Sequence, residues 1–177
     1  MSESYPLTFS DEDHRLYEKL DAAARDLHDS IAYGAFIMKK GWKAKPWSRG
    51  STYLQQSAFV TSMIVSYVRP FSTSYGWPKL PADYMDEYDE TEKALHASVL
   101  NERNQLYAHT DSVSYPVKPW RSEYTSDIIT FHVLAMPYDD IILLAGMCRK
   151  ISRRCKADQV VIKAKYISTP EAPPTAS

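Results

Sequence analysis

Residues 101–111 read NERNQLYAHTD, and three of them, Arg103, Asn104 and His109, are of types that bind phosphate and move protons. On an ideal helix turning about 100° per residue, Leu95, Val99, Leu100, Leu106 and Tyr107 share an arc of roughly 140°, and Arg103 falls inside it. A guanidinium among apolar neighbours is costly unless it is paired or its head reaches a wet cleft. Glu102 diverges by about 100° and is a poor partner, so the anion must come from another helix, another chain or a ligand. His109 lies about 120° round from Arg103 and nearly two turns on, too far to touch it but able to border the same groove. Thr110, Asp111, Ser112 and Pro116 mark the helix end, where the carbonyl dipole favours a charged imidazole. Arginine and histidine so placed supply the two needs of metal-free RNA backbone cleavage: charge on the phosphate and proton transfer beside it. The competing reading is structural: Arg103 pairs with Asp21 or Asp26 inside the fold, and His109 caps a helix end.

The elements that must position these residues belong to a chain of 177 residues, 44% hydrophobic and 24% charged, with a net charge of −1. Those values fit one ordinary globular domain, expected over 1–169, with a proline-rich disordered tail over 170–177. Cys148 and Cys155 stand seven apart on one expected helix, which excludes a disulfide framework and favours a reducing compartment. No secretory signal and no apolar run of about 20 residues is found, so a cytoplasmic location and no membrane association are expected.

Ser10 is placed to cap a long amphipathic helix to Lys40, with acids in its first turn and Lys39 and Lys40 in its last. Its expected apolar face is Leu16, Leu20, Ala23, Leu27, Ile31, Ala35 and Met38. A second helix follows from Ser51 towards Pro70, presenting Leu54, Ala58, Met63, Ile64, Tyr67 and Val68. The third is expected from near Ala82 to about His109, beginning in the acidic run DYMDEYDETE. A strand over Asp127–Met136, one arm of a hairpin, precedes a last helix opened by Pro137. The predicted fold is mainly α: an antiparallel four-helix bundle with a small β-hairpin inserted before the last long helix.

Two basic segments are candidates for holding RNA. KKGWKAKPWSRG interleaves Lys39, Lys40, Lys43, Lys45 and Arg49 with Trp42 and Trp47, so that cations contact phosphates while indoles stack on bases. CRKISRRCK carries Arg153 and Arg154. A plainer reading makes the first a loop anchored by its tryptophans and the second a helix end complementing its own dipole. The acidic run, with Asp83, Asp86, Glu87, Asp89, Glu90 and Glu92, is either a solvated helix start or an attraction for a basic partner. Glu92 and His96 share a helix face, but the two Glu-x-x-His pairs of a di-metal bundle are missing, as are HEXXH, P-loop and G-x-S-x-G patterns. His14, His28 and His132 have no companions at ligand spacing. No metal and no cofactor is expected.

RNQLYAH resembles the signature of the HEPN superfamily: an arginine, a polar residue, variable residues and a histidine near a helix end. The family places four to six residues between arginine and histidine, and here there are five; Asn104 fits the polar position. The longer phrase RNQLYAHTD resembles HEPN-like proteins of abortive-infection systems. The chain departs from the best-known toxin branch in its five intervening residues and in Asp111, which stands where that branch has tyrosine. The resemblance implies a helical bundle, a homodimer with two motifs meeting, and a metal-independent endoribonuclease of a prokaryotic defence or toxin–antitoxin system. It implies Arg103 on the scissile phosphate, His109 as general base or acid, Asn104 positioning them, and an antitoxin or regulatory protein partner. The alternative function is a non-catalytic bundle of the same type that binds a nucleotide, RNA or protein.

Overall fold

The computed structural model describes residues 7–47, 49–73, 77–107, 117–120, 126–129 and 135–167, with the backbone alone for 105–107 and for 117–120 and 126–129. The molecule is mainly helical: α1 (Asp11–Lys40), α2 (Thr52–Val68), α3 (Glu90–Tyr107) and α4 (Tyr138–Ile167), with short 3-10 turns at Arg69–Phe71 and Ala82–Glu87.

α1 begins where its cap dictates. Ser10 Oγ accepts the Asp13 amide, Asp11, Glu12 and Asp13 fill the first turn, and Lys39 and Lys40 fill the last. Gly41 ends it in the left-handed region at φ 65°, its amide donating to the Ile37 and Met38 carbonyls. α4 runs antiparallel to α1 along its whole length. At one end Lys165 and Tyr166 reach Asp13, and at the other the Tyr138 hydroxyl donates to the Trp42 carbonyl at 3.1 Å. Tyr166 lies 2.7 Å from Asp13 Oδ2, which with the Lys165 ammonium holds that carboxyl below its usual range.

The core lies among α1, α2 and α4: Leu20, Leu27 and Ile37 meet Val60, Met63, Ile64 and Tyr67, with Ile141, Leu144, Met147 and Ile151 closing it. The face expected for α2 shifts in its first half. Leu54 and Ala58 are exposed, while Gln56 and Val60 are buried, because the packed stripe follows Val60, Met63, Ile64 and Tyr67 around the helix. On α1 the burial follows Leu20, Ala23, Leu27, Gly34 and Ile37, leaving Ala35 exposed.

The third helix does not start at Ala82. Ala82–Glu87 is a separate 3-10 turn, Tyr88 is extended, and α3 opens at Glu90. Asp89 and Glu92 explain the break by accepting each other's backbone amides at 2.9 and 3.0 Å, a reciprocal cap that nucleates a fresh helix. Of the carboxylates in the acidic run only Glu92 is buried, but three of them are spent on α4. Glu92 is buried and takes the Lys150 ammonium at 2.7 Å, while Asp83 and Glu87 engage Arg154. The run clasps α4.

Val117–Trp120 and Ser126–Ile129 pair antiparallel, Val117 opposite Ile129 and Trp120 opposite Ser126. The strand expected over Asp127–Met136 is therefore found in its first residues; 130–134 lie outside the described residues, and 135–137 lead into α4 without strand structure. The expected tail, 170–177, also lies outside them. Among the described residues no helix is long and apolar enough to cross a membrane.

Candidate functional site

Arg103 projects from the last turns of α3, half-buried, beyond Leu95, Val99 and Leu100, which hold that helix against its neighbours. Its guanidinium donates to Asn104 Oδ1 at 3.1 Å. Neither expected partner pairs with it: Asp21 pairs with Arg25 at 3.0 Å and Asp26 with Arg69 at 3.3 Å. Among the described residues no carboxylate pairs with Arg103. The side chain instead joins the wall of a cleft of about 550 Å³ formed by α1, the end of α2 and the segment that follows.

Four cations, Lys19, Arg25, Arg69 and Arg103, share that cleft with two carboxylates, Asp26 and Asp29, and the Trp77 indole stands at it too. Lys19 is the unusual member. It is only 3% exposed, and its closest polar partner is the Arg69 carbonyl at 3.5 Å, a weak contact. Burial lowers the pKa of its ammonium, against the pull of Asp26. An anion entering the cleft would meet in Lys19 a charge whose desolvation cost has already been met by the fold. Trp77 is 38% exposed at the cleft, and an exposed indole is the type of side chain on which a base stacks.

His109 and residues 108–116 lie outside the described residues, so the second half of the motif is not part of this geometry. Of the motif, Arg103 and Asn104 are brought together.

The first basic segment folds into a second cavity of about 440 Å³, just beyond the C-terminal end of α1. Trp42, Lys43, Lys45, Trp47 and Gln56 line it with Met136, Pro137 and Tyr138. Trp42 is anchored edge-on to Phe36 and Phe59, whereas Trp47 is 75% exposed. Lys43 sits 5.0 Å from the Tyr138 ring centre and Lys45 5.4 Å from that of Trp47. Lys39, Lys40 and Arg49 are exposed, with Lys40 lying over Phe36.

The two arginines of the second segment part company. Arg154 packs on the Tyr84 ring at 4.4 Å and is taken by Asp83, Glu87 and Asp158, which leaves it a structural clamp. Arg153 is exposed and lines a shallow groove of about 390 Å³ between α1 and α4, with His28, Arg149 and Lys156.

The Glu92 and His96 side chains do not converge. Glu92 is held by Lys150, and His96 Nδ1 lies 2.8 Å from the Tyr67 hydroxyl, which also reaches Tyr88 at 3.2 Å. Burial lowers the pKa of His96, favouring the neutral ring. Among the described residues no three His, Cys, Asp or Glu side chains could hold a metal ion. Both cysteines are buried and free; burial pushes Cys148 up to about 12 and Cys155 up to about 11, which keeps both thiols protonated.

Compared with family models, curated proteins and solved structures, the chain matches none. Its function is therefore argued from these cavities. Sequence reasoning missed Lys19, Arg69 and Trp77. Lys19 carried a usable signal, the same one that marked Arg103: it stands within the stripe of Leu16, Leu20 and Ala23, a cation on an apolar face. Arg69 and Trp77 carried none.

Proposed function

We propose that this chain is a HEPN-like antiparallel four-helix bundle, with a β-hairpin before its last helix, that binds single-stranded RNA and cleaves it without a metal. The observation that carries this reading is Arg103, a half-buried guanidinium that opens into a cationic cleft and has no carboxylate partner among the described residues. A charge kept in that state is best explained by a ligand that brings the anion. A phosphodiester is the anion that the cleft suits, because cations and an indole stand together there.

In the proposed reaction Arg103 neutralises the scissile phosphate, aided by Lys19, and Asn104 orients the guanidinium. The ribose 2′-oxygen attacks phosphorus, its proton passing to a neutral His109. The bond from phosphorus to the 5′-oxygen breaks as that oxygen takes a proton from a second, protonated His109. The products are a 2′,3′-cyclic phosphate and a free 5′-hydroxyl. Two histidines come from two copies of the chain, which makes a homodimer part of the proposal. The setting implied by the motif is prokaryotic defence or a toxin–antitoxin pair, with a protein that restrains the enzyme.

The test is incubation of the purified chain with single-stranded RNA in a chelator, with analysis of the product ends. Wild type is expected to leave 2′,3′-cyclic phosphates, and Arg103→Ala and His109→Ala each to lose cleavage. Unchanged cleavage in both variants overturns the mechanism. A second reading, a non-catalytic binder of RNA or a nucleotide, is favoured by one feature: among the described residues the cleft contains no histidine to move a proton. Binding without cyclic-phosphate products would select it.

A further inference from the structure

We propose that the cavity between the α1–α2 loop and the start of α4 binds a nucleobase: its ring lies against the Trp42 and Trp47 indoles, an acceptor atom takes a hydrogen bond from Gln56 Nε2, and Lys43 meets the attached phosphate. The inference rests on the RNA reading only for where the base comes from, a strand or a free nucleotide.

The polar group that points to a ligand is Gln56. It is 3% exposed, and its Oε1 accepts the Ala44 amide at 2.9 Å, which fixes the side chain against the loop. Among the described residues its amide nitrogen has no acceptor, and no fully enclosed side-chain nitrogen or oxygen among them lacks a partner. The sliver of Gln56 that remains accessible therefore carries the NH₂ group, and Gln56 lines this cavity. A buried amide held by its oxygen with its donors unspent is ready for a ligand acceptor.

The remaining wall limits the ligand further. Among the described residues that line it the charged groups are Lys43 and Lys45, with no carboxylate, and Gln56 is its side-chain amide. Aromatic walls of this kind could also attract a quaternary ammonium, but here lysine ammoniums already stand over Tyr138 and Trp47, which repels a second cation. A flat, acceptor-bearing, anionic molecule fits: a base with its phosphate. The volume, about 440 Å³, lies in the range of small-molecule sites. The Tyr138 hydroxyl, tied to the Trp42 carbonyl at 3.1 Å, fixes one wall before anything binds.

The cavity is distinct from the Arg103 cleft. From Asp26, in the cleft, to Gly41 at the cavity, α1 rises about 22 Å. A strand that spans both would have one base read several nucleotides from the bond that is cut.

The experiment is calorimetric titration of the full chain with uridine 5′-monophosphate and with a twelve-residue oligouridylate, with tryptophan emission recorded in parallel. Trp47→Ala, at an exposed position that folding does not need, is expected to weaken binding about ten-fold. Gln56→Glu, which keeps the length and the acceptor for the Ala44 amide but removes the donor, is expected to weaken it about five-fold. Heat and quenching with the mononucleotide identify a free nucleotide as ligand; a response to the oligonucleotide alone, lost in Trp47→Ala, identifies a base within a strand. No response to either ligand, or wild-type binding by Trp47→Ala, overturns the proposal. Binding that depends on Trp47 in a chain that cleaves no RNA would overturn the ribonuclease reading and leave this one standing.

Discussion

The two cavities that α1 spans are held open by different forces. Around Arg103 and Lys19 the walls are long cationic side chains from α1, α3 and the turn after α2, and their charges exceed the carboxylates that face them. Around Trp42 the walls are rings and a loop, locked by the Phe36, Trp42 and Phe59 cluster, with Phe36 and Phe59 stacked at 4.6 Å. Between them Gly34 lets three helices close up: a Cβ there would lie 2.8 Å from Ile141 Cγ2 and 3.1 Å from Met63 Sδ. The aromatic end is preformed by packing, while the cleft end carries unspent charge. Ligand binding should therefore stabilise the cleft end more, since there the ligand supplies a counter-charge, whereas at the aromatic end it supplies a hydrogen-bond acceptor to a neutral amide.

The largest expected effect tests the cleft. Arg103→Ala should reduce RNA cleavage by at least about 100-fold, the scale of losing one group on a developing oxyanion, and should flatten the salt dependence of binding by about 0.7 in log–log slope. An unchanged salt slope would mean that Arg103 does not touch phosphate, and the contrast between the two ends would collapse.

Gly34→Ala probes the packed region. Helix propensity favours alanine by about 1 kcal/mol, but the contacts with Ile141 and Met63 should reverse the sign and give a net destabilisation of about 1–3 kcal/mol in denaturant titration. A stabilised variant would show that the helices can part there without cost. Lys19→Met should have the opposite sign. Replacing a buried ammonium with an isosteric apolar chain is expected to stabilise the free protein by about 1 kcal/mol while weakening RNA binding. The pairing of those two readouts separates a functional lysine from a merely structural one.

The smallest effect is a pH dependence at the Tyr67, Tyr88 and His96 cluster. Because burial lowers the His96 pKa, the unfolded chain takes up its proton first as the pH falls. The contribution of His96 to stability is therefore complete above the ordinary histidine value of 6.5 and declines as pH falls from there through the folded pKa. Denaturant midpoints measured across that window should slope downward towards acid in wild type and flatten in His96→Gln.

Much of the helical framework was legible in the sequence because its signals are local. Ser10, the acids after it and Gly41 bound α1 at Asp11–Lys40, and Pro137 stands immediately before α4. The start of α3 was not read, although Asp89 and Glu92 are spaced as a reciprocal cap, because the acids upstream of them looked like a helix start of their own. Leu54 and Ala58 misled for a different reason: apolar type at helical spacing names a face, but only the neighbouring helices decide how far round that face is covered.

By itself the sequence determined that the chain is mainly helical, where α1 and α4 run, and that Arg103 stands on an apolar face needing an anion or an opening. Only the tertiary structure decided that the opening is a cleft shared with Lys19, Arg69 and Trp77, and that Arg154 is consumed by Asp83, Glu87 and Asp158 while Arg153 stays exposed. It likewise decided that Gln56, a polar residue on a helix, is buried with its Oε1 on the Ala44 amide and lines a cavity with two tryptophans. The reason is range: caps and periodicity act over a few residues along the chain, whereas the partner of a charge is set by which helices pack beside it.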